Sequence, residues 1–261
     1  MKKNNYVVYT ALFGNHDDLL DPPPSNSCDY ICFTDNPNLT SNVWKIKVVD
    51  SHLSKTLMNR LYKIKPHIYL SNYEASIYID SNIKITKDPI DLFNKYLRKN
   101  IFTTMKHAER NCIYSEALEC IARKKSDYKQ TLNQMFTYAC DGNPSNNQLS
   151  DNKFLMRVHN DKNVVELMEL WWDELNRWVP RDQLSLPYTA WKLKMHIGFI
   201  FENPAFKNEY FQWYPHKENN NLFLNRLFRK IGFYVRWVST YPYYYFKIGF
   251  IGKAFSSKPS R

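Results

Sequence analysis

Five uncharged residues, Ala75-Ser76-Ile77-Tyr78-Ile79, run without a break into Asp80-Ser81-Asn82. An apolar run of that length, rich in β-branched and aromatic side chains, reads as a strand covered on both faces. Such a strand needs a layer above and a layer below it, and the rest of the chain offers both. Segments 6–12, 30–34 and 44–49 read as further strands, with Pro22-Pro23-Pro24 forcing an extended loop between the first two. From 57 to 69 the spacing turns helical, with Leu57, Leu61 and Ile64 on one face and Arg60 and Lys63 on another. Pro66 is expected to end or kink that helix. Beyond it, 90–99, 113–124, 128–139, 164–178 and 183–193 read as helices, and 101–105 and 154–158 as strands. Strands alternating with helices predict an α/β domain with a mainly parallel central sheet flanked by helices.

Composition removes several alternatives. Hydrophobic residues make up 44% of the 261 residues, enough for a packed core. The six glycines include no GxGxxG and no GxxxxGK[ST], which argues against a Rossmann dehydrogenase or a P-loop NTPase. Cys28, Cys32, Cys112, Cys120 and Cys140 have no zinc-ribbon spacing and read mostly as buried thiols of a reducing compartment. The first residues contain no apolar signal region, and no run of about 18 apolar residues marks a membrane span. Cytoplasmic residence is therefore expected.

The net charge of +11 is unevenly placed. Residues 222–261 hold eight Lys or Arg, no Asp or Glu, and twelve aromatics, leaving +3 for the other 221 residues. A nucleic-acid enzyme more often spreads its basic residues over the working face, and no nucleic-acid partner is expected. Leu222, Phe223, Leu227, Phe228 and Ile231 recur at helical spacing against Arg226, Arg229 and Lys230, the pattern of an amphipathic helix lying on a membrane. The chain accordingly divides into a main domain, 1–221, and a basic aromatic tail, 222–261, that would dock on the inner face of the membrane. An ordinary basic helix packed on the domain would show the same pattern.

In an open α/β sheet, ligands collect beyond the carboxyl ends of the strands. Four polar clusters follow strand-like runs: 14–18, 34–36, 80–82 and 107–110. Alternation would put Asp80 and Asn82 on one side, so that both could reach a hard cation that completes its shell with phosphates and water. Asp and Asn are also common turn formers after a strand. Arg60, Lys63 and Lys65 could neutralise a diphosphate, or form the solvated face of their helix. His107 and Arg110 are either a polar cluster beside the site or surface residues. Asp182, in Arg181-Asp182-Gln183, is either an N-cap or a substrate contact.

These residues carry a resemblance. Val8 through Asn15, Cys28 through Asn36, Tyr62-Lys63-Ile64-Lys65-Pro66-His67, Ser76 through Ile83, His107 through Glu116, Arg157-Val158-His159-Asn160-Asp161 and Arg181-Asp182-Gln183-Leu184-Ser185 occur in consistent order. They resemble the DUF616 family, also called the TOD1/MUCI70 glycosyltransferase-like domain. The resemblance implies a GT-A-like fold and transfer of a sugar from a nucleotide-sugar, UDP-linked by expectation, to a glycan acceptor in cell-surface polysaccharide (O-antigen or capsule) synthesis. Carried over, Thr10, Gly14 and Asp35 would line the nucleoside pocket, with Arg60, Lys63 and Asp80 near the phosphates. Asp80 and Asn82 would be the D-x-D equivalent for Mn²⁺ or Mg²⁺, one negative charge short. His216 would complete the metal shell, with His196 behind it. Asp182 and Gln183 would adjoin the donor sugar of a retaining enzyme, and Glu116 or Asp182 would be the base of an inverting one. His107, Arg110, Arg157, His159 and Arg181 would contact substrate. The alternative is a non-catalytic carbohydrate- or membrane-binding module on a decayed GT-A scaffold.

Overall fold

The computed structural model describes residues 4–14, 17–50, 53–201, 208–215 and 223–244, the last segment with side chains from 232 to 242. The chain divides into two compact units. The first holds Met1–Lys106, Asp151–Trp172 and Met195–Asn219, and the second His107–Ser150, Asp173–Lys194 and Asn220–Arg261.

The first unit is built on a seven-stranded sheet. Its strands are β1 (Tyr6–Leu12), β2 (Cys28–Thr34), β3 (Lys45–Val48), β4 (Ala75–Ile79), β6 (Phe102–Lys106), β7 (Ser150–Arg157) and β8 (Gly198–Ile200), in the order β3-β2-β1-β4-β7-β6-β8. β1 pairs in parallel with β2 and β4, β2 with β3, and β6 with β8, while β7 runs antiparallel to β4. A second ribbon pairs β5 (Ile83–Ile85) with β9 (Phe211–Trp213). The expected mainly parallel α/β sheet is present. Short β5, β8 and β9, three residues each, have too little periodicity to stand out in the sequence.

Alternation along the strands divides the core between the two faces. Val8, Leu12, Ile77, Ile79, Phe154 and Met156 pack with Leu92, Phe93 and Tyr96 of α3 (Ile90–Tyr96) and with the β5–β9 ribbon. Tyr9 and Tyr78 point to the other face, against α1 (Lys55–Ile64), where the Tyr9 hydroxyl donates to the Lys63 carbonyl at 2.9 Å. Pro66 ends α1 as expected and opens the short α2 (Pro66–Tyr69), where its missing N–H is no loss.

In the second unit α4 (Ile113–Ala122), α5 (Tyr128–Cys140), α7 (Asp182–Lys192) and α8 (Phe223–Tyr244) surround a core of Ile113, Ala117, Leu118, Met135, Tyr138, Leu184 and Tyr188. α6 (Lys162–Arg177) supplies its last turn to this unit. Tyr138 and Tyr188 stack at 3.6 Å, and the Tyr138 hydroxyl donates to buried Glu174. α8 lies against α4: Arg236 Nε donates to the Ala122 carbonyl at 2.8 Å and Arg123 sits over the Phe233 ring. Its other side leaves Tyr234, Val235, Val238 and Tyr241 exposed. The side chains of 222–231 and residues 245–261 lie outside the described part, so the amphipathic pattern expected there is not on view. No helix among the described residues is long and apolar enough to cross a membrane. All five cysteines are free; Cys28, Cys32 and Cys120 are buried as expected, and burial pushes the Cys120 thiol up to about 11, whereas Cys140 is exposed.

Candidate functional site

Parallel pairing brings the ends of β1, β2 and β4 to one edge of the first unit's sheet. The order β3-β2-β1-β4 makes the chain reverse direction across the sheet between β1 and β4, the place where such sheets hold ligands. The loops after these three strands are tied to one another. The Gly14 amide, at a φ of 81° that suits glycine, donates to Asp35 Oδ1 at 3.1 Å. Ser81 Oγ donates to Asp17 Oδ2 at 2.9 Å. Lys55 Nζ lies 3.4 Å from Asp35 Oδ2. Three of the four expected polar clusters thus share an edge; Asn15 and His16 lie outside the described residues.

Asp80 is the centre of this edge. Its Oδ1 accepts from the Tyr78 hydroxyl at 2.9 Å and from Lys63 Nζ at 3.4 Å, while Oδ2 has no hydrogen bond among the described residues. Burial, followed by the Asp80 charge, raises the Tyr78 pKa well above the ordinary tyrosine value, so this hydroxyl stays a donor. The Asp80 side chain is 31% exposed, whereas that of Lys63 is 2% exposed, with its ammonium over the Tyr78 ring. The Lys63 stem runs along the buried tyrosine and its charge meets the edge, so of its two readings the solvated helix face does not hold. Arg60 stands one turn earlier on α1 and donates to Asn59 Oδ1 at 2.7 Å.

Other expectations fall elsewhere. The strand ends at Ile79, and Asp80–Ile83 is a turn closed by the Ile83 amide on the Asp80 carbonyl, so strand alternation does not govern Asn82. Asn82 is buried, its amide donating to the Tyr214 carbonyl and its carbonyl accepting from the Tyr214 amide, where it finishes the β5–β9 ladder. The side-chain bond engages the nitrogen; Oδ1 is the atom a cation would use. His216 lies outside the described residues. Among those described, no three His, Cys, Asp or Glu side chains gather to hold a metal ion.

Thr10 is buried within β1, on the face away from Tyr9, two residues short of the strand's end. Arg157 and His159, expected to meet substrate, are interior. Arg157 donates to the Lys63 carbonyl at 2.7 Å, to the Tyr9 hydroxyl and to the Ile64 carbonyl, so it caps the carboxyl end of α1 from within the core. Burial draws its pKa below the usual arginine value, and Tyr9 opposes that shift. His159 bonds the Leu70 carbonyl through Nε2, and burial lowers its pKa to about 4. Each serves the packing behind the edge.

The second unit gathers the remaining candidates. Arg110 Nε donates to Glu116 Oε2 at 2.7 Å, and His107 Nδ1 accepts the amides of Glu109 and Arg110 at 3.2 and 3.0 Å, which leaves Nε2 as the protonated nitrogen. Cys120 Sγ donates to Glu116 Oε1, and the Arg181 charge also bears on Cys120. Glu116, buried and paired, is not placed to deprotonate an acceptor. Arg181, not Asp182, occupies the N-cap of α7, and Asp182 is its buried first residue, so neither the expected cap nor an exposed base is found. Gln183 follows, half-buried. His196 precedes β8 in the first unit.

The family model for the TOD1/MUCI70, glycosyltransferase-like domain matches residues 1–216. The chain belongs to this family. The match spans both strand-end loops and helices of the TOD1/MUCI70 domain and stops before α8. A search of curated proteins finds no match.

What the sequence missed at the edge is the start of β7. The apolar pattern begins the strand at Phe154, yet Ser150-Asp151-Asn152-Lys153 are strand too, and the Asp80 amide donates to the Lys153 carbonyl at 2.9 Å. The one signal available was their continuity with the apolar run from Phe154.

Proposed function

We propose that this TOD1/MUCI70 domain is a glycosyltransferase that takes its sugar from a nucleoside diphosphate donor, UDP-linked in the first instance, bound at the ends of β1, β2 and β4. The observation that carries the reading is Asp80: a partly exposed carboxylate at the switch point, with one oxygen held by Tyr78 and Lys63 and the other without a hydrogen bond among the described residues. Gly14, Asp35 and Lys55 at the ends of β1 and β2 offer a carboxylate and an amide edge for the nucleoside.

The side chains present fit a divalent cation held by one protein carboxylate and completed by phosphates and water, the usual habit of Mg²⁺. Asp80 Oδ2 would hold it, and when bound it would neutralise charge on the departing diphosphate. Lys63 fixes the carboxylate from below and adds positive charge behind it. Arg60 extends that charge along α1. Glu116 and Asp182 are both buried, which favours retention, with the leaving phosphate taking the acceptor proton, over an inverting route that needs an exposed carboxylate base.

The acceptor is a glycan, on a lipid carrier in cell-surface polysaccharide synthesis. α8, which exposes Tyr234, Val235, Val238 and Tyr241 and begins a segment with eight basic and no acidic residues, would hold the enzyme on an anionic bilayer. The test is a screen of nucleotide-sugars for hydrolysis or transfer with and without Mn²⁺, read by NMR of the product anomer. A thermal shift with UDP and Mn²⁺ that disappears in Asp80→Ala supports the reading; turnover unchanged in that variant defeats it.

One observation favours a second reading, a non-catalytic binding module: Asn82 is neutral and buried, its side-chain nitrogen bonded to the Tyr214 carbonyl, so Asp80 is the one charged member of the D-x-D equivalent. That reading predicts no nucleotide binding and intact binding of vesicles.

A further inference from the structure

The register that pairs Ile79 with Phe154 sets Lys153 directly opposite Asp80. Opposed residues of an antiparallel pair share a face, and alternation brings Asp151 to the same face two residues away. Lys153 Nζ lies 2.8 Å from Asp151 Oδ2. The Asp151 side chain is more than nine-tenths buried, and its Oδ1 has no hydrogen-bond partner. Lys153, by contrast, is one-third exposed. Thr104 Oγ1 donates to the carbonyls of Asp151 and Phe154, pinning the backbone on either side of the lysine.

A buried carboxylate with an orphan oxygen is costly, and among the described residues the Lys153 ammonium is the cation paired with it. The arrangement makes sense if the position of that ammonium is what the pair maintains. Asp80 by itself repels phosphate, and Lys63 faces it from the buried side. Lys153, one-third exposed, adds an ammonium to the same edge beside Asp80. A compact charge with three donors suits phosphate oxygens.

We propose that Lys153 is a ligand for the donor's diphosphate and that Asp151 is its positioning residue. The proposal rests on the nucleotide-sugar reading above. The experiment is calorimetric titration of the full chain with UDP, GDP, ADP and dTDP, each compared with its nucleoside, in Mn²⁺. Lys153→Ala is expected to weaken the diphosphate about ten- to hundredfold while leaving nucleoside affinity unchanged. Lys153→Arg should recover most of the loss. Asp151→Asn, which keeps the shape and removes the anchoring charge, should weaken the diphosphate by a smaller factor and also spare the nucleoside.

Unchanged diphosphate affinity in Lys153→Ala overturns the proposal and leaves the nucleotide-sugar reading standing. Equal losses for nucleoside and diphosphate also overturn it, since they signal damage to the fold. If the wild-type chain binds none of the four diphosphates, both fall together.

Discussion

Replacing Arg157 separates two accounts of a buried cation. Its guanidinium meets no carboxylate among the described residues; its partners are the Lys63 and Ile64 carbonyls, the Tyr9 hydroxyl and, at 3.4 Å, Met168 Sδ, with the Phe102 ring 5.8 Å from its centre. Arg157→Met keeps the stem and removes the charge. The two short bonds, to Lys63 and Tyr9, contribute about 1.5–3 kcal/mol each as charge-assisted contacts. Against this, losing the charge relieves a desolvation penalty, and no opposite charge is stranded. The net loss should therefore be about 2–3 kcal/mol, below the roughly 3–5 kcal/mol seen when one member of a buried ion pair is removed. Arg157→Lys should be worse by about 1 kcal/mol, because an ammonium keeps the penalty yet cannot span the same acceptors. Thermal unfolding would read these as melting temperatures lower by about 5–10 °C for Met and more for Lys. A lysine variant as stable as the wild type, or a methionine variant more stable than it, refutes the reasoning.

The remaining expectations concern protonation, pairing, chemistry and attachment. His159 titrates near 4 in the folded chain because it is buried, and near ~6.5 when unfolded. The unfolded state alone binds that proton in between, so stability is level above about pH 6.5 and falls by up to about 3 kcal/mol toward pH 4; denaturant midpoints across this range should flatten in His159→Gln. Arg110→Ala strands the buried Glu116 carboxylate and should cost about 2–4 kcal/mol, a loss that Glu116→Gln in the same chain largely restores in chemical denaturation. Asp80→Asn should lower turnover at least about a hundredfold, and chelation of divalent ions should have no further effect in that variant. Val238→Glu, on the exposed side of α8, should reduce co-sedimentation with phosphatidylserine vesicles about tenfold or more, without changing nucleotide binding.

The sequence shows most plainly what repeats locally. β4 was legible because five uncharged residues can be satisfied only inside a sheet, and Asp80 because it ends that run. α4, α5 and α7 of the second unit were legible within two residues at their ends from their helical period. The two readings of Lys63 stayed open because its helical position, between apolar residues on one face and Arg60 on the other, says nothing about the tyrosine of a neighbouring strand that its stem covers. Arg157 and His159 look like polar residues leaving a strand. They are interior because the carbonyls of Lys63, Ile64 and Leu70, nearly ninety residues and more away in sequence, need donors there. No local pattern encodes that requirement.

The same non-local logic explains why the candidate site was seen only in part. Its acidic centre ends a strong strand, but its basic groups arrive from a helix face and from the polar start of an antiparallel strand, each ordinary in isolation. Lys63 could not be buried without a carboxylate to face, and Asp80 could not offer one oxygen to a ligand unless the other were fixed by Tyr78 and Lys63. The burial of one therefore determines the presentation of the other. Asn82 adds no charge: it is neutral and buried, its side-chain nitrogen bonded to the Tyr214 carbonyl, so Asp80 is the one charge this turn offers a cation. A cation at this edge would be held chiefly by what the ligand brings, which makes metal affinity depend on bound diphosphate. Mn²⁺ titrated alone should bind weakly, and its affinity should rise at least tenfold once UDP is present. Equal Mn²⁺ affinity with and without UDP would mean that the protein supplies a complete ligand set, contrary to the single carboxylate offered here.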